Sequence, residues 1–250
     1  MDDPIADVSH RPWPVPDEPW VMAQTWNDLL FAHWPVETAA LRGLVPPMLT
    51  LDRYADTAWV TITPFYISHL HARGLPALPW GSNFPELNVR TYVTVGGKPG
   101  VYFFSLDAGS ALAVTAARAL YHLPYFHAAM EMRRTATDRI VYESRRTHDG
   151  APQAEFRGRY YAAGDAATSD VGTLDRWLTE RYCLYAVDSS QRVYRAEIHH
   201  RPWPLRPATA EIEQNTMAAA AGIALPAVAP RISYVNRLDV VVWLPHRIDD

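Results

Sequence analysis

Lysine is almost absent from this 250-residue chain: of 23 basic side chains, 22 are arginine and Lys98 is the single lysine. The arginines run from Arg11 to Arg247 without forming a stripe, and 27 acidic residues leave a net charge of −4. A nucleic-acid partner is therefore not expected. Cysteine is equally scarce. Cys183 alone cannot form an internal disulfide or a cysteine-rich zinc site, which fits a reducing compartment. No stretch reaches the roughly 18 apolar residues needed to span a bilayer. The opening Met1-Asp2-Asp3-Pro4 is acidic where a secretory leader would be basic and then apolar. The expectation is a soluble, cytoplasmic protein with no membrane partner, held together by its core alone.

What is present is a packed, aromatic composition, with 48% hydrophobic residues, nine Trp and thirteen Tyr, which excludes disorder as a description of the whole chain. Twenty-one prolines punctuate short apolar runs, so the pattern predicts a sheet-rich domain with a few helices. Residues 1–20, with five prolines, read as an extended arm, and residues 21–250 as one α+β domain, since no repeat or composition break divides them. A short helix is expected over Glu37 to Leu44, a strand over Thr57 to Thr63, and a long irregular loop over Ser68 to Phe84.

The middle of the chain alternates with period two from Glu86 to Val93, and Gly96-Gly97-Lys98-Pro99-Gly100 is a turn leading into a strand from Val101 to Leu106. Asp107 is expected to cap a helix over Ser110 to Tyr121. Strands follow over Ala128 to Thr135, Arg139 to Thr147 and Gln153 to Tyr161. Thr173 caps a helix over Leu174 to Arg181, and a hairpin pairs Cys183 to Val187 with Arg192 to His199. A helix over Ala208 to Ala220 and a strand over Ser233 to Leu244 complete the reading.

The strand from Glu86 sets Glu86, Asn88, Arg90 and Tyr92 on one face and Leu87, Val89, Thr91 and Val93 on the other. The polar face meets water, or it lines a cavity in which a carboxylate and a guanidinium bind a small ligand. Spacing alone does not choose. The histidines give no metal site. His199 and His200 are adjacent on a strand and point apart, and His69 and His71 have no third ligand at useful spacing. There is no nucleophile turn around Ser105 or Ser110, and no dinucleotide or phosphate loop. No cofactor is expected. In Thr173 to Tyr182, Glu180 with Arg181 can close one end of a cavity, or the block is an outer helix carrying surface ion pairs, the commoner arrangement.

The blocks Asn83-Phe84-Pro85-Glu86-Leu87-Asn88-Val89-Arg90-Thr91-Tyr92-Val93, Gly100-Val101-Tyr102-Phe103-Phe104-Ser105-Leu106-Asp107-Ala108, Leu123-Pro124-Tyr125 and Glu180-Arg181-Tyr182-Cys183-Leu184-Tyr185 resemble the signature blocks of the DUF2071, or YqjF-like, family. Phe31-Ala32-His33-Trp34 and Ile198-His199-His200-Arg201-Pro202-Trp203 extend the resemblance over nearly all of the chain beyond the arm. It implies membership of the acetoacetate decarboxylase-like superfamily, and hence a twisted antiparallel β-barrel around a mostly apolar cavity. It leaves the activity open.

In the decarboxylases, a glutamate-bearing strand and a helix arginine precede a Phe-Pro-Lys-Lys segment whose lysine forms a Schiff base. Here Glu86 resembles the glutamate and Arg118 the arginine, while Leu123-Pro124-Tyr125-Phe126 stands where the lysines belong. Neither a phenol nor a phenyl ring forms an imine, and Lys98 lies in a turn where a solvated side chain is expected. Lysine-imine decarboxylation is thus argued against. The resemblance implies that Glu86, Arg118 and Tyr125 converge, with Arg90 beside them. Glu86 would be the acid/base, Tyr125 a hydrogen-bond donor, Arg90 and Arg118 anion clamps, with Asn88 and His33 further candidates at the ligand. The expected ligand is a small organic acid or carbonyl compound. The alternatives are a non-catalytic ligand-binding or interaction protein, or an ion pair of Glu86 with Arg90 or Arg118 that serves only the barrel. A homo-oligomer is compatible with the sequence.

Overall fold

The computed structural model describes residues 5–77 and 81–248. In chain order the elements are β1 (Met22–Val36), α1 (Thr38–Arg42), β2 (Thr50–Leu51), β3 (Ala58–Ala72), β4 (Phe84–Val95) and β5 (Lys98–Ala108). There follow α2 (Ala111–Tyr121), β6 (Tyr125–Arg134), β7 (Ile140–Arg146), β8 (Glu155–Ala162), α3 (Leu174–Thr179) and β9 (Cys183–Val187). The last are β10 (Val193–His200), β11 (Arg206–Asn215), β12 (Arg231–Val242) and β13 (His246–Arg247).

Long strands built from β-branched and aromatic residues leave no room for a flat sheet of this size, and the hydrogen bonds close on themselves. The closed circuit of nine strands runs β5-β6-β7-β8-β11-β12-β1-β3-β4 and back to β5. A second circuit branches from it, because β9 pairs with β5 and β10 pairs with both β9 and β12. Strands β12, β1, β3, β4 and β5 belong to both circuits, so each of their faces is covered. Leu87 and Val89 of β4 pack in a cluster with Tyr142, Phe156 and Tyr160 of β7 and β8. On the other side, Phe31, Phe65 and Phe103 pack with Trp203, Val240 and Val242. This second interior holds the cavity.

The barrel is mostly β and differs from the expected antiparallel one at two joints. Strands β5 and β6 pair in parallel, Leu106 opposite Tyr125, and β5 and β9 pair in parallel, Val101 opposite Leu184. A parallel pair needs a crossover, and α2 supplies the one between β5 and β6.

Three local expectations are corrected. The segment from Ala208 to Ala220 is not a helix. Residues Arg206–Asn215 form β11, paired with β8, and one 3-10 turn, Ala219–Ala221, follows. Ala208, Ala210 and Ile212 turn inward while Thr209, Glu211 and Glu213 turn out, so a period of two overrides the helix propensity of Ala and Glu. The irregular loop is shorter than expected, because β3 continues to Ala72, opposite Met22 of β1. Part of that loop, residues 78–80, lies outside the described residues. The cap of α2 is Ser110, whose Oγ accepts from the Ala113 amide at 3.3 Å. Asp107 is buried and pairs with Arg146 instead.

The described part of the arm, from residue 5, has no regular structure and lies against β10. Arg11 donates to the Ile198 carbonyl at 2.5 Å and to Glu197 at 3.0 Å, and the Trp13 indole donates to Glu197 at 2.8 Å.

Candidate functional site

Period-two alternation in β4 delivers Glu86, Asn88 and Arg90 to one cavity of about 210 Å³. Its walls are apolar and aromatic, with Trp26 and Phe31 from β1, Phe65 from β3, Phe84 from β4, Phe103 from β5, and Trp203. The Trp26 and Trp203 rings stack with centres 5.7 Å apart, and Phe31 meets Trp203 edge-on at 4.8 Å. Helix α2 covers one side with the small residues Ala113, Ala116 and Ala117 and with Tyr121. Glu86, Asn88 and Arg90 thus line a cavity instead of meeting bulk water, while Tyr92, on the same face, is buried outside the lining.

At one end, Glu86 accepts a hydrogen bond from the Tyr125 hydroxyl at 3.0 Å. Its backbone carbonyl accepts from the buried Tyr142 hydroxyl at 2.7 Å, which holds the strand from the opposite core. Burial pushes the Glu86 carboxyl up to about 8; the bond from Tyr125 works against this and the charge of Asp107 adds to it. Burial likewise keeps the Tyr125 phenol well above its ordinary value, with the Glu86 charge adding to the effect.

At the other end lies Arg90. Its guanidinium carbon is 5.2 Å from the Phe31 ring centre and 5.9 Å from that of Tyr92, and one amino group reaches the Leu178 carbonyl at 3.5 Å. The Nε has no partner, and among the described residues no carboxylate pairs with this guanidinium. Burial pulls its proton affinity down, although a guanidinium stays charged at any ordinary pH. Between the two ends stand Asn88 and Thr63, opposite each other on β4 and β3, each with a buried side-chain oxygen that has no partner.

The structure brings in one residue that the sequence left between two readings. Arg181, just past α3, is buried and lines the cavity. Its Nε donates to the Trp177 carbonyl at 2.7 Å and one Nη to Asp52 at 2.6 Å, while Nη2 is buried without a partner. The other arrangement, a surface ion pair, is found on the same helix at Asp175, which pairs with Arg231 at 2.5 Å. Glu180 does not join the cavity; it accepts from the Trp203 amide at 2.9 Å and from the Tyr182 hydroxyl.

Two candidates lie elsewhere. Arg118 is exposed on α2 and donates to the Tyr125 carbonyl at 2.6 Å. One residue along a helix turns the side chain by about 100°, so the cavity-facing Ala117 carries Arg118 outward. The expected convergence of Glu86, Arg118 and Tyr125 reduces to Glu86 and Tyr125. His33 is buried behind Phe31, which stacks on it at 5.5 Å, and is not part of the lining. Its Nδ1 bonds the Thr61 hydroxyl at 2.7 Å, and that hydroxyl bonds the Tyr92 hydroxyl at 2.6 Å. Burial, helped by the charges of Arg90 and Arg231, keeps it neutral, well below the usual histidine range. It serves the floor beneath Arg90.

The ion-pair alternative fails for this site, since among the described residues neither Glu86, Arg90 nor Arg118 belongs to a salt bridge. Lys98 is partly exposed, with 32% of its side chain open to solvent. It pairs with Glu197 at 3.5 Å and packs on Trp13, outside the lining. Among the described residues no three His, Cys, Asp or Glu side chains converge as metal ligands, and no helix is long and apolar enough to cross a membrane.

Comparison with known proteins places this arrangement. The DUF2071 family, described as an uncharacterized conserved protein, matches residues 23–239. The uncharacterized protein YqjF of Bacillus subtilis (strain 168) is 49% identical over 229 residues, covering 92% of this chain and 93% of that one. Among solved structures, the enduracididine biosynthesis enzyme MppR complexed with pyruvate superposes with a TM-score of 0.62 at 10% identity, over 93% of this chain and 92% of that one. An acetoacetate decarboxylase-like enzyme from Sphingomonas wittichii RW1 gives 0.61 at 13% identity, over 93% and 95%. The last two share the fold, and the first two match the sequence over most of its length. The chain thus belongs to the DUF2071 family and has the acetoacetate decarboxylase-like fold.

Proposed function

We propose that this protein binds a small organic acid bearing a carbonyl group in the cavity and turns it over by acid/base chemistry, without covalent attachment to a lysine. The observation that carries the reading is the buried Arg90 guanidinium, which has an unpartnered Nε and no carboxylate beside it. A buried charge without a counter-ion costs several kcal/mol, and a bound carboxylate relieves that cost. The free Nη2 of Arg181 offers a second donor to the same anion. The pyruvate complex of MppR supports the ligand class on this fold.

The opposite end supplies the chemistry. A carboxyl raised to about 8 is mostly protonated at neutral pH and becomes a base as pH rises. In an enolisation, the Glu86 carboxylate takes a proton from the carbon next to the ligand carbonyl. The electrons of the broken C–H bond form the carbon–carbon double bond, and the carbonyl pair moves to oxygen, toward which the Tyr125 hydroxyl turns its single proton away from Glu86. Returning the proton to carbon completes the cycle.

Binding of keto acids by calorimetry, with exchange of the ligand's α-hydrogens for deuterium followed by NMR, tests this. Exchange is expected to rise through about pH 8 and to fall by about 100-fold or more in Glu86→Gln. Exchange unchanged in that variant removes Glu86 as the base. Binding with no exchange leaves a binding protein, and no binding of any acid overturns the reading.

A further inference from the structure

The polar ends of the cavity lie far apart. Glu86 and Arg90 are four residues apart on one strand, so at the strand rise their Cα atoms are separated by roughly 13 Å. Glu86 turns to Tyr125, whereas the Arg90 guanidinium lies between the Phe31 and Tyr92 rings, 5.2 and 5.9 Å from their centres, and reaches the Leu178 carbonyl. The Arg181 guanidinium carbon lies 5.0 Å from the same Tyr92 ring. Both cations thus gather at one end. Burial, Tyr125 and Asp107 account for the Glu86 carboxyl, with no arginine among the groups acting on it.

The stretch between the ends is neither empty of function nor charged. Asn88 and Thr63 face each other across the β3–β4 ladder, each with an orphaned oxygen, and the stacked Trp26 and Trp203 close the apolar wall. A two-carbon or three-carbon keto acid is short against this spacing, and a longer one matches it.

We infer that the ligand is an oxo acid whose carboxylate and oxo group are separated by several carbons, as in a γ- or δ-oxo acid. Arg90 and the free edge of Arg181 hold the carboxylate, and Glu86 and Tyr125 face the oxo group. This inference rests on the function proposed above and names its ligand. It has a chemical consequence. In a decarboxylation the carboxylate leaves from the carbon next to the reacting centre, but here it sits at the far end of the cavity. The carboxylate is a handle, and the bond that breaks is a C–H bond beside the oxo group, its proton passing to Glu86.

Calorimetry on the full chain tests this with levulinate and benzoylbutyrate as the separated oxo acids, pyruvate and acetoacetate as the compact ones, and phenylpentanoate as the analogue that lacks the oxo group. The separated acids are expected to bind about tenfold or more tightly than the compact ones, since only they use both ends. Arg90→Met is expected to weaken benzoylbutyrate and phenylpentanoate alike, by about tenfold or more. Tyr125→Phe is expected to weaken benzoylbutyrate and to leave phenylpentanoate unchanged. Pyruvate or acetoacetate binding as tightly as the separated acids, and lost in Arg90→Met, overturns this inference and leaves acid binding in the cavity intact. Equal weakening of both phenyl acids by Tyr125→Phe also overturns it. Failure of every acid to bind overturns the function proposed above.

Discussion

At Glu86, burial sets a charge state that water would not. The carboxyl titrates at about 8 in the folded protein against an ordinary 4.5, so between those values the native state holds a proton that the unfolded chain has lost. The stabilisation is complete below about pH 4.5 and is lost as pH rises through 8. The urea midpoint of the wild type is therefore expected to fall over that window, and Glu86→Gln, which stays neutral throughout, is expected to flatten the fall. A midpoint that declines equally in both proteins places the titration elsewhere. Tyr125 carries a second expectation at this scale. Its side chain at the cavity is a phenol, which forms no imine, and Lys98 pairs with Glu197 outside the lining. Borohydride added with pyruvate or acetoacetate is expected to leave the protein mass unchanged, and a reduced adduct on Lys98 would refute it. These residues were legible because they sit in compact blocks. Arg118 misled because a resemblance gives a position in the chain and not the direction of a side chain on α2.

Among the elements, β4 was the most readable, since one of its faces is polar and the other apolar, and alternation records that difference directly. Strand β1 went unread for the opposite reason. Leu29 to Trp34 are buried without exception, and a strand covered on both faces carries no period. Strand β11 was misread because Ala and Glu favour helices while its inward residues, Ala208 and Ala210, are too small to mark a face. The turn before Val101 was read as a turn, yet Gly100 has a second duty. A Cβ there would stand 2.7 Å from the Cys183 carbonyl oxygen and sulfur and from the Tyr185 ring, so glycine is what lets β5 and β9 approach. Gly100→Ala is expected to cost about 1–3 kcal/mol of stability, read from urea unfolding. A neutral result would mean that β9 moves aside freely.

For the whole molecule, the shared strands make the two circuits depend on each other. Within the nine-strand circuit, Asp107 of the shared strand β5 and Arg146 of β7 meet across β6 in a two-pronged ion pair, at 2.6 and 2.8 Å, with both side chains buried and the Arg146 guanidinium carbon 4.1 Å from the Phe126 ring centre. Removing one partner strands the other charge inside. Arg146→Met is expected to destabilise the fold by about 3–5 kcal/mol, while the double change with Asp107→Leu recovers most of the loss. Equal stabilities of the single and double variants would show that the pair is not coupled. The same architecture sets a carboxyl and two guanidinium groups in the lining of one cavity. Its acid end is supported by β6 through Tyr125, and its cationic end by the segment after α3 through Arg181, two pieces of chain far apart in sequence.

The sequence by itself determined that one lysine side chain is all the chain has, which face of β4 is polar, and the family, because each of these depends on residue identity or on a period of two. Only the tertiary structure decided that Glu86, Asn88 and Arg90 line a cavity, that Arg181 joins them while Arg118 and His33 do not, and that Glu86 bonds Tyr125 while Arg90 has no carboxylate partner among the described residues. Those facts depend on which strands meet across the barrel and on how far each buried charge lies from a partner, and neither quantity is local in the chain.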